Sequence, residues 1–130
     1  MTGPGPFDND TAQDYVRELL HGDATISELA SVLSVSDGFD LELAQEQYAL
    51  SAIIAEMVER KAEKSAAGEV ASSLRAQQTH ADLVLVAHAC MNRLLVNPFH
   101  PLWRGHSDGG IAIKRAARVL RARLHRACSE

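Results

Sequence analysis

Apolar side chains recur along this chain at the spacing of amphipathic helices. Ile26, Leu29 and Leu33, for example, lie at positions i, i+3 and i+7, on one face of a helix. A similar stripe predicts a first helix that is capped by Asp10 and ends at Gly22. No segment of useful length alternates apolar and polar residues as a strand does. The pattern therefore predicts an all-α fold, a bundle of about five helices.

Two of the predicted helices are long. The third is predicted to be the longest, capped by Asp40 and ending in a charged stretch where Glu56, Arg60 and Glu63 can pair. Gly68 and the Ser72-Ser73 pair predict a connection to the fourth helix, over residues 77–96. Because that fourth helix is apolar on nearly every side, we expect it in the middle of the bundle.

A proline-containing segment ends the fourth helix. Asn97-Pro98-Phe99-His100-Pro101 has two prolines within four residues, which remove backbone donors and fix the chain direction. A loop with Leu102 and Trp103 is expected next, followed by a last helix with basic residues around its apolar face. We interpret Trp103 as a residue that fills the core rather than one that anchors a partner.

Length and composition are those of an ordinary globular domain. The chain has 130 residues, of which 46% are hydrophobic and 23% charged, so we expect residues 1–130 to form one domain. No apolar stretch reaches the length of a membrane span, and the first ten residues lack the features of a signal peptide. Cys90 and Cys128 are too few for a disulfide framework. We therefore expect a cytoplasmic protein with no membrane segment.

Charge is distributed unevenly along the chain. Residues 1–59 contain 12 carboxylates and a single basic residue, Arg17, whereas residues 111–130 contain six basic residues and Glu130. Segments of opposite sign attract, so we expect the two to meet within one molecule or in a head-to-tail homodimer. The basic last helix could also lie on nucleic acid. The strongly acidic first half makes nucleic acid the less favoured partner.

A cluster of polar residues near the start is the main candidate for chemistry. We call it the opening motif; it comprises Phe7, Asp8, Asn9, Asp10 and Asp14. Closely spaced carboxylates are typical of calcium or magnesium sites, but Ala12 and Gln13 stand where a calcium loop needs a ligand and a glycine. The favoured interpretation is structural: Phe7 fills the core and an aspartate caps the first helix.

The start of the chain resembles a known family. Gly5-Pro6-Phe7-Asp8-Asn9-Asp10, followed by Ala12, Asp14 and Tyr15, is similar to the opening of a bacterial family catalogued as domain of unknown function 4259. Leu41-Glu42 and Leu102-Trp103 extend the resemblance over most of the chain. The resemblance supports one fold for the whole segment. It implies no activity, because none is established for the family.

No catalytic motif is present in the sequence. We find no nucleophile elbow, phosphate-binding loop, dinucleotide fingerprint or HExxH zinc motif. We therefore predict a non-catalytic macromolecular-interaction module, regulatory or immunity-like, with a protein partner and without a cofactor. The alternative is a small-ligand or metal-dependent enzyme that uses Asp8, Asp10 and Asp14. A pocket lined by these carboxylates would favour the enzyme, and an exposed apolar patch would favour the interaction module.

Overall fold

A computed structural model describes residues 5–22, 25–35, 40–59, 66–75, 81–97, 100–104 and 110–128. Within these ranges the chain forms helices and no strand, which confirms the all-α prediction. Seven helices are described, rather than about five. They are α1 Asp10–His21, α2 Ile26–Ser34, α3 Leu41–Glu59, α4 Ala66–Arg75, α5 Ala81–Leu95, α6 Pro101–Arg104 and α7 Ile111–Cys128.

The central helix is α3. The other six helices all pack against it, and every residue from Gln47 to Met57 is buried. Alanines at positions 49, 52 and 55 present little volume, so neighbouring helices can approach α3 from several directions. The prediction that residues 77–96 occupy the middle is wrong. α2, α3 and α7 cover three sides of α5. Its remaining face is open to solvent, and Leu85 on that face is 54% exposed.

The connection predicted at Gly68 and Ser72-Ser73 is wrong, because these residues lie inside α4. The apolar residues Val70, Ala71 and Leu74 lie at helical spacing and are all buried, which outweighs the low helix propensity of glycine and serine. α4 packs on α1 and α3. α4 therefore covers the part of the core that lies between α1 and α3.

A short helix replaces the loop predicted around Trp103. Pro101 opens α6 at the first helical position, where its missing N–H costs no hydrogen bond. The buried His100 precedes it, and its Nδ1 accepts a hydrogen bond from the Leu102 N–H at 3.1 Å. Residues 98 and 99, predicted to be part of the helix end, lie outside the described residues.

Candidate interaction surfaces

The opening motif begins with a tight turn in front of α1. The Asp8 N–H donates to the Gly5 carbonyl at 3.2 Å, and the Asp8 carboxylate accepts from the Gly5 N–H at 2.8 Å. Phe7 is half-buried and packs against the core. The Asp8 side chain thus closes the turn that places Phe7 against the core.

Asn9, rather than Asp10, caps the first helix. Its backbone is extended, and its Oδ1 accepts a hydrogen bond from the Ala12 N–H at 2.7 Å. The prediction that Asp10 is the cap is wrong by one residue: Asp10 is the exposed first residue of α1. Gln13 also reaches back, since its Nε2 donates to the Phe7 carbonyl at 3.0 Å. Together these bonds fix the entry of the chain into α1.

The aspartates of the opening motif do not line a common pocket in the described part of the chain. Asp14 forms an exposed ion pair with Arg17 at 3.2 Å, one turn along α1. It also borders an open depression with Arg17, Glu18 and His21, to which no other residue of the motif contributes. Among the described residues, no three histidine, cysteine or acidic side chains are placed to hold a metal ion.

Trp103 lies apart from the opening motif. It is fully buried, and its indole N–H donates to the carbonyls of Leu94 at 3.3 Å and Asn97 at 3.0 Å. Leu94 lies in the last turn of α5 and Asn97 two residues beyond it, and each carbonyl also accepts a backbone N–H at 3.4 Å, from Asn97 and His100 respectively. Trp103 therefore joins α6 to α5, whereas the opening motif precedes α1, which packs on α3 and α4.

A group of carboxylates outside the motif lies where α1 meets the start of α3. We call it the acidic surface; it comprises Glu18, Asp40, Glu42 and Glu46. Glu46 is half-buried, and its pKa is raised first by burial and then by repulsion from Glu18, Glu42 and Asp40. No ion pair within the described ranges involves any of the four. The fold thus holds like charges together without a described cation between them.

Tyr15 lies close to this acidic surface. The residue is 8% exposed, and its buried hydroxyl has no hydrogen-bond partner among the described residues. Burial raises the pKa of the phenol, and the charges of Glu46 and Glu18 raise it further. The hydroxyl therefore stays protonated at every physiological pH. It adds no charge to the surface.

A surface of opposite sign runs along α7. We call it the basic surface; its exposed members are Arg115, Arg118, His125 and Arg126. The opposite side of α7 carries Ile113, Ala117, Leu120 and Leu124, which are buried against the core. Arg123 lies at the border, and its guanidinium donates to the Glu59 carboxylate, with Nε to Oε2 at 3.0 Å. This bond joins the basic last helix to the end of the acidic α3.

A family model matches residues 1–108 of the chain, and its description is domain of unknown function (DUF4259). The chain belongs to this family. No curated protein and no solved structure matches it. The opening motif, Trp103 and the acidic surface all lie within the part matched by the DUF4259 model, whereas α7 with the basic surface lies beyond that part.

Two features of this DUF4259 member were not predicted from its sequence. The acidic surface joins Glu18 to Glu42 and Glu46 across two helices, and sequence separation hides that proximity. The i,i+4 spacing of Glu42 and Glu46 was the one local signal, since like charges at that spacing repel. The second feature is a contact between His88 of α5 and His125 of α7, whose ring centroids are 5.3 Å apart. In the described part of the chain no helix is long and apolar enough to cross a membrane.

Proposed function

We propose that this protein is a non-catalytic interaction module, regulatory or immunity-like, that binds a cationic surface of a protein partner through the acidic surface. The observation that carries the proposal is the position of Glu46. Its carboxylate is half-buried among Glu18, Glu42 and Asp40, which raises its pKa. Such an arrangement costs stability in the isolated fold, because each carboxylate repels the others.

A cationic partner would remove this cost. Lysine or arginine side chains placed against the acidic surface would lower the carboxylate pKa values and convert repulsion into attraction. The same field would speed association, because opposite charges steer two proteins together. A polyanion such as nucleic acid would instead be repelled by these four carboxylates.

We also propose that the protein is located in the cytoplasm. The described cysteines are free thiols, Cys90 buried in the core and Cys128 near the end of α7. Burial raises the pKa of the Cys90 thiol to about 11, so it is protonated and unreactive at neutral pH. Free thiols of this kind favour a reducing cytoplasm. The interaction we propose needs no cofactor.

The test compares three forms of the protein as baits. One is the wild type, the second carries E18Q, E42Q and E46Q, and the third carries E28Q and E69Q, two exposed glutamates outside the acidic surface. Proteins retained from the native cell are identified, and each is then purified and titrated against all three baits. We expect a cationic protein whose affinity falls at least about tenfold, or 1.4 kcal/mol, for the triple variant only.

Two outcomes would contradict this function. One is a partner that binds the wild type and the triple variant with equal affinity. The other is a set of retained proteins in which no member, including a second copy of this chain, binds the acidic surface with an affinity that weakens as salt is raised. Melting of the triple variant at or above the wild-type temperature is the expected control, since removing repelling charges does not disturb the core.

A further inference from the structure

In the described part of the chain, no ion pair joins the basic surface to the acidic surface, and the ion pair between α7 and α3 lies at Glu59, at the other end of α3 from Glu42 and Glu46. α1, which carries Glu18, packs on α3 and α4, whereas α7 packs on α3, α5 and α6. The described ion pair between α7 and a carboxylate is Arg123 with Glu59, and neither residue belongs to the two surfaces. Arg115 and Arg118 are exposed to solvent. Each molecule thus presents two surfaces of opposite sign on different helices.

Both surfaces also contain exposed apolar side chains. On α7, Ile111 is 63% exposed and Val119 is 57% exposed, and both lie among the arginines. Next to Glu42, Leu41 is 40% exposed. An interface commonly has apolar contacts in its centre and charged groups around them. The basic surface therefore has exposed apolar side chains among its charges, and the acidic surface has one at its border.

We propose that the acidic surface of one copy of this chain docks on the basic surface of a second copy, head to tail. This rests on the proposed function and identifies the cationic surface that the carboxylates bind as α7 of another copy, within a chain whose net charge is −4. Because each copy contributes a different surface, the contact is heterologous, and both remaining surfaces stay free after two copies have met. Further copies can then add until the assembly closes into a ring or extends as a filament.

The acidic surface supplies carboxylates that α7 lacks. Arg115, Arg118 and Arg126 repeat along one face of α7 over about 16 Å at the helical rise of 1.5 Å per residue. Glu42 and Glu46 lie one turn apart on α3, and Glu18 lies beside Glu46 on α1. If α7 of a second copy lay across this group, its arginines would lie next to the carboxylates of both α3 and α1. The contact should therefore depend on salt more steeply than an apolar interface does.

Sedimentation velocity of purified full-length protein tests the proposal. The acidic variant carries E18Q, E42Q and E46Q, the basic variant carries R115Q, R118Q and R126Q, and a control carries R104Q and E69Q, two exposed residues outside both surfaces. At low ionic strength, about 10 mM, where charges interact over roughly 30 Å, we expect wild type and control to associate beyond a dimer as concentration rises. Each variant alone should be a monomer.

The equimolar mixture of the two variants gives the sharpest result. The basic variant keeps its acidic surface and the acidic variant keeps its basic surface, so one complementary pair remains. We expect this mixture to form a 1:1 dimer and to stop there, because both outer surfaces are neutralised. A mode of self-association that does not pair the acidic surface with the basic surface would not give monomeric variants that combine into a dimer.

Three outcomes would overturn self-docking. They are a wild type that stays monomeric at low salt and high concentration, variants that associate like the wild type, and a mixture without a dimer. A monomeric wild type that still binds a cationic protein through Glu42 and Glu46 would refute self-docking while the proposed function stands. A wild type that neither associates with itself nor binds a cationic protein through Glu42 and Glu46 would refute both proposals.

Discussion

Asn9 is the residue of the opening motif whose side chain satisfies a free backbone N–H of α1. Asn and Asp are nearly equal as helix caps, so the sequence alone could not choose between Asn9 and Asp10. The backbone angles of Asn9, which are extended, decide the choice. The aspartate that follows adds only the favourable effect of a negative charge in the first turn.

We predict that Asn9→Ala lowers the free energy of unfolding by about 1 kcal/mol, because it removes the cap. Asp10→Ala should cost clearly less, about 0.5 kcal/mol, because only the dipole interaction is lost. Urea denaturation of both variants measures the difference. Equal losses for the two, or a larger loss for Asp10→Ala, would contradict the assignment of the cap.

Gly110 is required by its backbone angle and by Trp103. Its φ is +87°, and a Cβ there would lie 2.6 Å from the Trp103 carbonyl oxygen. We predict that Gly110→Ala costs at least about 1 to 2 kcal/mol, since the left-handed conformation alone costs that much for a side chain. Thermal unfolding of Gly110→Ala checks this. Gly22→Ala is the comparison and should cost less, because Gly22 has a negative φ and its added Cβ would lie 3.0 Å from the Glu18 carbonyl oxygen rather than 2.6 Å.

His88 gives the protein a defined response to acid. Arg121 donates to Asn92 Oδ1 at 3.5 Å, which turns the Asn92 amide N–H toward His88 Nδ1, also at 3.5 Å. This arrangement requires a neutral His88 that accepts at Nδ1. Partial burial lowers the pKa of His88 below its usual 6.5, and the charges of His125 and Arg121 lower it further.

The sign of the pH effect follows from this lowered pKa. The unfolded chain binds the proton more readily than the folded chain, so the contribution of His88 is complete above pH 6.5 and is lost as the pH falls through the folded pKa. We predict that the urea midpoint of the wild type falls more between pH 7 and pH 5 than that of His88→Gln. Parallel pH profiles for the two proteins would show that His88 does not contribute.

At the scale of elements, two polar residues hold the end of α2. Gln47 of α3 donates through Nε2 to the carbonyls of Val32 and Val35, each at 2.9 Å. Arg93 of α5 donates to the carbonyls of Leu33 at 2.8 Å and Val35 at 3.1 Å. The last carbonyls of a helix have no intrahelical partner, and these two side chains supply one. These hydrogen bonds explain why polar residues, Gln47 and Arg93, stand within otherwise apolar helices.

We predict that Arg93→Met lowers the free energy of unfolding by about 2 kcal/mol, because two charge-assisted hydrogen bonds are lost while the aliphatic volume is kept. Arg115→Met, on the exposed face of α7, is the matched control and should change stability by less than about 0.5 kcal/mol. Hydrogen exchange should also show faster opening of α2 in Arg93→Met than in the control. Equal stability of the two variants would mean that the bonds to α2 contribute nothing.

The same element scale shows where prediction from sequence succeeded. The cap of α3 at Asp40 is confirmed, since its Oδ1 accepts from the Leu43 N–H at 3.0 Å. The periodic stripes also located α1, α2 and α3 to within a few residues, although α3 is buried on every side from Gln47 to Met57. α4 was missed, since its glycine and serines are local signals for a turn. Their effect is outweighed by burial of Val70 and Leu74.

For the whole molecule, the described contact between the acidic and basic parts of the chain is Glu59 with Arg123. Both side chains are largely covered, at 30% and 22% exposed, and the guanidinium binds the carboxylate through two nitrogens. Residues 64 positions apart are thereby joined. The bond closes the end of α7 onto the end of α3.

We predict a coupling energy of about 1 kcal/mol between Glu59 and Arg123, above the median for exposed pairs because both are partly buried. A double-mutant cycle with Glu59→Gln and Arg123→Gln measures it, and the coupling should fall as salt is raised. The Glu59/Arg118 pair serves as a control cycle with an expected coupling near zero, since Arg118 is exposed. A coupling as small for Arg123 as for Arg118 would contradict the described ion pair.

The sequence by itself determined the helical class, most helix positions, the uneven charge and the family. These depend on local spacing, on composition or on a contiguous motif, all of which can be read along the chain. Tertiary structure decided which helix is central, which carboxylates meet around Glu46, and which basic residue pairs with Glu59. Such facts depend on how helices pack, and packing brings together residues whose separation in sequence carries no distance information. The alanines of α3 explain the main error: small side chains are weak signals of burial in a sequence, yet they let six helices surround one.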